Sequence, residues 1–353
     1  MGKLNQIKTY LQKNNLDGMI VTSPINRRYL TGFTGSAGIV IISQSDQLLL
    51  TDFRYTEQAK EQVKDYTIVT HEASIFQEVA DQLKQLNLNN MAFEAAHISY
   101  EQYEQLNSLI SAQLIPVTNV IETIRSIKTT TEWDIMKKAA EIADRAYEHI
   151  LSFIKPGMQE IEVANELEFF MRQAGATSAS FDIIVASGWR SALPHGVASE
   201  KVIETGELVT MDFGALYKGY CSDITRTVAI GPIDETLKEI YDIVLKAQTL
   251  ALSKIKPGMT GQEADAFARD VIDEAGYGNY FGHSTGHGLG MEVHEQPRLS
   301  TQSETKLQPG MVVTVEPGIY IPNVGGCRIE DDIIITETGN ERLTLSTKQL
   351  MYL

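Results

Sequence analysis

The spacing of apolar side chains predicts alternating helices and strands in the first third of the chain. Apolar residues at helical spacing predict helices over residues 3–15, 75–86 and 100–112. Short apolar and β-branched runs between them predict strands over residues 18–22, 39–43, 47–52 and 91–94. A polar turn joins the second and third of these strands into a hairpin. This part of the chain is therefore expected to form an α/β unit of its own.

A polar stretch separates this unit from the rest of the chain. Residues 121–131 read I-E-T-I-R-S-I-K-T-T-T, which is typical of a linker. Thr131, with an acid three residues later, is the expected N-cap of a long helix that runs to about Phe153. The predicted domain boundary lies in this linker, giving domains of residues 1–123 and 124–353.

An internal repeat organises the second part. The motif I-K-P-G-M occurs at residues 154–158 and again at 255–259, each time after a long helical pattern and before an acid-rich amphipathic helix. The distance from its glycine to the glycine after that helix is 18 residues in both copies. We therefore expect two equivalent half-domains related by a pseudo-twofold axis.

Each half also places a carboxylate inside an apolar strand. Asp212 lies in L-V-T-M-D-F-G and Glu316 in M-V-V-T-V-E-P-G, and in each half a glycine precedes the acid by six residues. A carboxylate among apolar, β-branched neighbours is unfavourable unless it has a partner. The next strand of each half supplies a second acid, Asp223 in C-S-D-I-T-R-T and Glu330 in C-R-I-E-D-D.

Four carboxylates around the axis predict a metal centre, because like charges that close together cannot all stay ionised. Two divalent cations supply the opposite charge and would lie roughly 3.5 to 4 Å apart. His287, within the glycine- and histidine-rich residues 282–297, is the expected fifth ligand. Oxygen ligands with one imidazole favour Mn²⁺, with Co²⁺, Zn²⁺ or Fe²⁺ as alternatives. Asp331 and Asp332 are competing ligands, but strand alternation favours Glu330 over Asp331.

Composition narrows the class of function. The 353 residues include 46 acidic and 30 basic side chains, a formal net charge of -16, which disfavours binding to nucleic acids or anionic membranes. The sequence starts without an apolar leader and has no run of 18 apolar residues, so neither secretion nor a membrane span is expected. The cysteines, Cys221 and Cys327, form no disulfide or C-x-x-C pattern, and we expect small core side chains in a reduced, cytoplasmic protein.

Taken together, these motifs resemble the proline-specific branch of the pita-bread metallopeptidases, which includes aminopeptidase P and Xaa-Pro dipeptidase (prolidase). The matching segments are M-D-F-G-A, S-D-I-T-R-T, G-H-G-L-G-M-E-V-H-E, V-E-P-G-I-Y and G-G-C-R-I-E-D. The resemblance covers essentially the whole chain. It implies an α/β (α+β) fold with a creatinase-type N-terminal domain before a pita-bread catalytic domain. It also implies the metal ligands Asp212, Asp223, His287, Glu316 and Glu330.

The same resemblance implies roles for other polar residues. His195 and His294 would hold the scissile carbonyl and the developing oxyanion, and Glu316 would pass a proton to the leaving nitrogen of proline. His283 and Arg328 would belong to the pocket that orients substrate and ligands. Two simpler interpretations stay open: His195 as an ordinary loop histidine, and Arg328 as a salt-bridge partner of the acids.

Two features favour different substrates. Near the N-terminus, Y-L-T-G-F-T-G-S-A-G and T-D-F-R-Y resemble aminopeptidase P, which accepts longer peptides. Arg298 resembles an arginine that binds the C-terminal carboxylate of a dipeptide in some prolidases, although an ordinary surface arginine is the alternative. The expected function is a dinuclear-metal exopeptidase of the aminopeptidase P type, which removes the residue before proline. Xaa-Pro dipeptidase is the alternative.

Other functions are less well supported. Methionine aminopeptidase shares the five-ligand pattern but usually lacks an N-terminal domain of this kind. A metal-free relative, either a creatinase-like hydrolase or a binding module, is disfavoured because all five ligand types are present. The expected partners are peptides with proline in second position and further copies of this chain, in a homodimer or a higher homo-oligomer. No nucleic-acid or membrane partner is expected.

Overall fold

A computed structural model describes residues 2–353. The chain forms two compact units, Met1–Arg125 and Ser126–Leu353. In the described residues, no helix combines the length and apolar character that crossing a membrane requires.

The first unit is built on a six-stranded mixed sheet. Its strands are β1 Gly18–Val21, β2 Ile39–Ser43, β3 Gln47–Thr51, β4 Thr67–Thr70, β5 Asn90–Glu94 and β6 Gln113–Val117. Its helices are α1 Lys3–Lys13, α2 Pro24–Thr31, α3 Thr56–Gln62, α4 Ile75–Gln85 and α5 Tyr100–Leu109, and α6 Val120–Ser126 follows them. The sheet order is β4-β3-β2-β1-β5-β6, with β1 antiparallel to β2 and parallel to β5. The predicted hairpin of β2 and β3 is confirmed.

The sequence interpretation missed α2 and misjudged the linker. Helix α2 begins at Pro24, directly after β1, and the hydroxyl of its N-cap, Ser23, accepts a hydrogen bond from the Asn26 backbone N–H. The predicted linker over residues 121–131 is largely helical, because α6 occupies its first half and a longer helix begins at Thr130.

Four helices form two pairs in the second unit. They are α7 Thr130–Phe153, α8 Glu160–Gln173, α9 Glu235–Lys254 and α10 Gly261–Glu274. The N-cap of α7 is Thr129 and not the predicted Thr131. Among three consecutive threonines, Thr129 has a glutamate three residues later, and Glu132 completes a capping box with it.

The repeat seen in the sequence is also a repeat of backbone geometry. Gly157 and Gly258, between the helices of each pair, have φ angles of 93° and 88°, in the left-handed region that favours glycine. Their N–H groups donate to the carbonyls of Ile203 and Leu307, both at 2.8 Å. The two halves therefore anchor the link between their paired helices in the same way.

Antiparallel strands carry the polar residues of the second unit. They are β7 Ser178–Ala179, β8 Ile184–Ser187, β9 Glu207–Phe213, β10 Ala215–Tyr217, β11 Tyr220–Cys221, β12 Ile224–Ile230, β13 Gly286–Gly288, β14 Glu295–Leu299, β15 Val312–Val315, β16 Gly318–Ile321, β17 Gly325–Arg328, β18 Asp331–Ile335 and β19 Asn340–Arg342. The two main sheets have the orders β12-β9-β8 and β14-β13-β15-β18-β19.

Alternation along the strands separates the apolar core from the polar face. On β9, Met211 and Phe213 pack in the core beneath α7 and α8, so Asp212 points to the opposite face. On β15, Val313 and Val315 pack in the core that includes α9 and α10. Because side chains alternate between the two faces of a strand, the following residue, Glu316, lies on the other face. Both halves thus turn their acids away from their own helices.

Candidate metal centre

The five expected ligands lie on strands of the two halves or directly beside them. Asp212 lies on β9, Asp223 directly before β12, His287 on β13, Glu316 directly after β15 and Glu330 directly before β18. In each half, the two strands that position the acids pair with each other. Several hydrogen bonds join the halves, among them one at 2.5 Å in which the Thr225 hydroxyl on β12 donates to Glu330 Oε2.

Two of the acids cluster with the imidazole of His287. Ligand atoms of Asp223, His287 and Glu330 all lie within 4.8 Å of one another. His287 Nε2 is 3.3 Å from Glu316 Oε1 and 3.9 Å from Asp223 Oδ2. Acids from both halves, Asp223 and Glu316, therefore lie within 4 Å of the same imidazole nitrogen.

The tautomer of His287 leaves Nε2 without a proton. Its Nδ1 lies 3.0 Å from the Gly288 carbonyl oxygen, which can only accept, so Nδ1 carries the hydrogen. Burial lowers the pKa of His287 to about 4, which keeps the ring neutral at neutral pH. The Nε2 lone pair therefore faces carboxylate oxygens. Two hydrogen-bond acceptors repel each other, so this arrangement is favourable when a cation lies between the nitrogen and the oxygens.

Unpaired carboxylate oxygens complete the case for cations. Within residues 2–353, Asp212 Oδ1, Asp223 Oδ1 and Glu330 Oε1 are buried and receive no hydrogen bond. Buried polar atoms nearly always have a partner. Oxygens from carboxylates together with one imidazole nitrogen are ligands that suit Mn²⁺ and similar ions, so the residues present fit a divalent metal.

Without a cation, the cluster favours protonated carboxyl groups. Burial raises the pKa of Asp223 well above its usual range, and the charges of Glu330 and Asp212 raise it further. Burial also raises the pKa of Glu330 and of Glu316. The raised pKa values shift these carboxyl groups towards the protonated form, from which a bound cation would displace protons.

Arg328 is a buried partner of the acids. Its Nη2 donates to Asp212 Oδ2 at 2.6 Å and its Nε donates to the Thr225 hydroxyl at 3.1 Å. Nη1 donates to the Tyr320 hydroxyl at 2.9 Å and to the Pro194 carbonyl at 3.2 Å. These contacts orient Asp212 and the segment that precedes His195. Direct contact of Arg328 with substrate stays a prediction.

A cavity of about 490 Å³ contains the whole predicted site. Its lining includes all ten predicted residues: His195, Asp212, Asp223, His283, His287, His294, Arg298, Glu316, Arg328 and Glu330. The remaining wall is mostly apolar, with Phe181, Ile184, Pro194 and Val197, and it also includes the polar residues Asp182 and Ser284. The expected metal ligands therefore share a pocket with the expected substrate groups, and the individual roles stay predictions.

The other three predicted histidines and Arg298 line the same cavity as His287. The rings of His287 and His294 meet edge to face with centroids 4.4 Å apart, and Arg298 pairs with His287 across β13 and β14. His283 Nδ1 lies 2.8 Å from the Ser284 carbonyl, so its Nε2 accepts from the Tyr320 hydroxyl at 2.8 Å. Exposed His195 lies at the pocket wall.

The two competing acids differ in their partners. Asp331 is fully buried and binds Arg226 at 2.7 Å and Lys348 at 2.6 Å. Asp332 Oδ2 accepts the backbone N–H of Asp223 at 2.8 Å, whereas its Oδ1 is buried and receives no hydrogen bond within residues 2–353. The preference for Glu330 over Asp331 thus agrees with the strand alternation. Cys221 and Cys327 are free and buried.

Two residues of the site escaped the sequence interpretation. Thr225 connects Glu330 and Arg328, and Tyr320 connects His283 and Arg328. Thr225 could have been predicted, because side chains two residues apart on a strand share a face and Thr225 is two residues after Asp223. The contacts of Tyr320 depend on β16 folding onto β17, which local sequence does not specify.

Known proteins resemble this chain over nearly its full length. A family model described as metallopeptidase family M24 matches residues 134–337, and one for the creatinase/prolidase N-terminal domain matches residues 3–127. The chain is 44% identical over 352 residues to an Xaa-Pro dipeptidase of Pyrococcus furiosus, with 99% of each chain covered.

Solved structures show the same similarity. An Xaa-Pro dipeptidase from Bacillus anthracis matches with a TM-score of 0.98 and 57% identity over 99% of each chain. An X-Pro aminopeptidase from Thermotoga maritima matches with a TM-score of 0.94 and 38% identity over 100% of each chain.

Proposed function

The chain belongs to metallopeptidase family M24, and on this premise we propose that it is a metal-dependent Xaa-Pro dipeptidase. The expected family and fold, with a creatinase-type domain before a pita-bread domain, are confirmed. The observation that carries the proposal is the cavity in which the five ligands, three further histidines and Arg298 meet.

The choice of dipeptidase differs from the main expectation from the sequence. That expectation was an enzyme of the aminopeptidase P type, with dipeptidase as the alternative. The relatives at 44% and 57% identity are Xaa-Pro dipeptidases, whereas the X-Pro aminopeptidase is 38% identical, so the alternative is better supported.

Arg298 supports the same choice by its position. Its side chain lines the cavity from β14, directly across from His287 on β13. A guanidinium there can bind the free carboxylate of a C-terminal proline through two parallel hydrogen bonds. A longer peptide has an amide at that place and loses the ionic contact.

The remaining groups have roles that follow from their positions. Divalent ions bound by the five ligands would polarise the scissile carbonyl and lower the pKa of water. His195 and His294 hold the carbonyl oxygen as negative charge develops on it. Glu316 accepts a proton from the attacking water and donates it to the nitrogen of proline. Burial raises the pKa of Glu316, which favours uptake of that proton.

Three finer assignments belong to this proposal. Mn²⁺ is the metal that the oxygen-rich ligands favour, the protein acts as a homodimer or higher homo-oligomer, and it acts in the cytoplasm. Light scattering coupled to gel filtration measures the oligomeric state. Activity restored by Mn²⁺, Co²⁺ or Zn²⁺ after chelation ranks the metals.

Substrate length distinguishes the two activities. We expect the Mn²⁺-loaded protein to cleave Leu-Pro with a higher kcat/KM than Leu-Pro-Gly, and chelation to abolish both reactions. A preference for the tripeptide would restore the aminopeptidase P interpretation. Cleavage of both peptides after complete metal removal would contradict metal-dependent hydrolysis altogether.

A further inference from the structure

Arg226 is a buried charge that the proposed mechanism leaves unused. It lies on β12, three residues after Asp223, and it is 1% exposed. Among the described residues, it has the largest side chain that is fully buried. A buried guanidinium is unfavourable unless its N–H groups are paired, so its partners indicate what it supports.

The guanidinium joins three segments of the second unit. Nη1 donates to the carbonyl of Thr225 at 3.0 Å and to the carbonyl of Glu330. Nη2 donates to Asp331 Oδ1 at 2.7 Å, and further bonds reach the carbonyls of Ser346 and Thr347. Arg226 therefore ties β12 and the start of β18 to the C-terminal segment, residues 344–353.

The contact with Glu330 fixes a metal ligand almost completely. The Glu330 N–H donates to the Thr225 carbonyl at 3.1 Å, and its Oε2 accepts from the Thr225 hydroxyl at 2.5 Å. Its carbonyl accepts from Arg226. Among the described residues, Oε1 is the atom of Glu330 left without a hydrogen bond, and Glu330 offers an oxygen to the cluster with Asp223 and His287.

The C-terminal segment is held in place from the other side. Asp331 Oδ1 accepts from the Thr344 hydroxyl at 3.0 Å as well as from Arg226. Asp331 Oδ2 accepts from Lys348 at 2.6 Å and from Gln248 at 3.0 Å. The Ser346 and Thr347 carbonyls that accept from Arg226 therefore belong to a segment with its own contacts to Asp331.

We propose that Arg226 is a positioning residue for the metal centre. By holding the carbonyls of Thr225 and Glu330 against the C-terminal segment, it fixes the direction of the Glu330 carboxylate and so sets the affinity for divalent cations. This inference rests on the proposed metal-dependent function. Groups that orient metal ligands typically change metal affinity by about tenfold to a hundredfold when they are removed.

The test compares Mn²⁺ binding in two full-length variants after chelation. Arg226→Lys keeps the charge but cannot span three segments with one ammonium group. Lys348→Met is the matched control, because Lys348 binds Asp331 and Gln248 instead of the Glu330 backbone. By calorimetric titration, we expect Mn²⁺ affinity to fall about tenfold to a hundredfold in the first variant and to stay within about twofold of wild type in the control.

The thermal midpoints separate positioning from stability. Both variants are expected to lower Tm, because both remove a contact of the buried Asp331. A folded Arg226→Lys protein with wild-type Mn²⁺ affinity would overturn the inference, and so would an equal loss of affinity in Lys348→Met. Failure of the wild-type protein to bind Mn²⁺ would instead contradict the proposed function.

A second variant decides the matter should Arg226→Lys fail to fold. Thr225→Val has nearly the same shape but lacks the hydroxyl that holds Glu330 Oε2. We expect a similar loss of Mn²⁺ affinity, because the same carboxylate becomes free to rotate. Unchanged affinity in Thr225→Val would show that the constraint on Glu330 is unimportant for the metal.

Discussion

Glu316 occupies the position where a carboxylate can act both on the metal and on a proton. Its Oε1 lies 3.3 Å from His287 Nε2, and its side chain is 16% exposed, compared with 6% for Asp223. It also lines the cavity, where substrate and water have access. Among the acids, it is therefore the one that we expect to carry protons during the reaction.

Replacing Glu316 by glutamine tests this role. Glu316→Gln keeps the shape of the side chain but removes the proton acceptor, so kcat for Leu-Pro should fall by about a hundredfold to ten-thousandfold. Glu337→Gln, on an exposed turn, is the control and should leave kcat unchanged. A kcat for Glu316→Gln within tenfold of wild type would exclude Glu316 as the proton carrier.

Arg298 gives a second test at the scale of one residue. Arg298→Gln removes the cation that faces the C-terminal carboxylate, and a hydrogen bond to a charged group contributes about 1.5 to 3 kcal/mol. We expect kcat/KM for Leu-Pro to fall about tenfold to a hundredfold, while kcat/KM for Leu-Pro amide stays unchanged. Arg172→Gln, on the surface, should change neither value.

The result for Arg298 distinguishes its two interpretations. If Arg298→Gln prefers Leu-Pro over Leu-Pro amide as strongly as the wild type does, Arg298 is an ordinary surface arginine. The sequence alone left this open, because spacing from His294 places Arg298 near the site without giving its direction. Its direction follows from the antiparallel pairing of β13 and β14, in which Arg298 lies opposite His287.

At the scale of elements, the paired strands β9 and β12 of one half and β15 and β18 of the other bring together acids that resist ionisation. The raised pKa of Asp223 and of Glu330 means that these groups keep their protons to a higher pH than ordinary carboxyl groups in the metal-free protein. His287, with a pKa of about 4, is already neutral above pH 6. Bound cations must therefore displace protons from carboxyl groups and not from the imidazole.

Proton release on metal binding measures this directly. Since the folded pKa values are raised, more protons should be released at pH 6 than at pH 8, and apparent Mn²⁺ affinity should rise over the same range. Titration of weakly buffered protein with Mn²⁺ at constant pH counts the protons. Asp223→Asn should release fewer. Release that does not depend on pH would contradict the protonated cluster.

The link between paired helices provides a prediction about stability. Gly157 and Gly258 have room for a Cβ atom but positive φ angles, so alanine there is strained by its backbone alone. Gly157→Ala and Gly258→Ala should each lower the free energy of unfolding by about 1 to 2 kcal/mol in denaturant titrations. Gly339→Ala, also with free space but without a positive φ angle, should have little effect.

The repeated motif made the elements of the second unit predictable. The helix pairs follow from periodicity and from equal glycine spacing, and strand alternation correctly separated Glu330 from Asp331. The start of α7 was wrong by two residues because three threonines offered the same cap, and the position of Glu132 decides among them. The helix α6 was missed because its polar composition suits a linker as well as a helix.

At the scale of the whole molecule, long-range pairing lies beyond what local sequence specifies. The order of the six strands in the first unit, with β1 between β2 and β5, depends on contacts between distant segments. The same is true of Arg226, whose partners are Glu330 and Ser346 more than a hundred residues away. Motifs predict which residues carry the chemistry, whereas tertiary packing determines what supports them.

The account depends most on the claim that five side chains from two repeated halves hold a pair of divalent ions. Anomalous diffraction at the manganese edge, from crystals of the Mn²⁺-loaded protein, tests this claim. We predict two peaks in the cavity, roughly 3.5 to 4 Å apart, in contact with Asp212, Asp223, His287, Glu316 and Glu330. Crystals of Mn²⁺-saturated protein with no peak among these residues, or with manganese bound elsewhere, would contradict it.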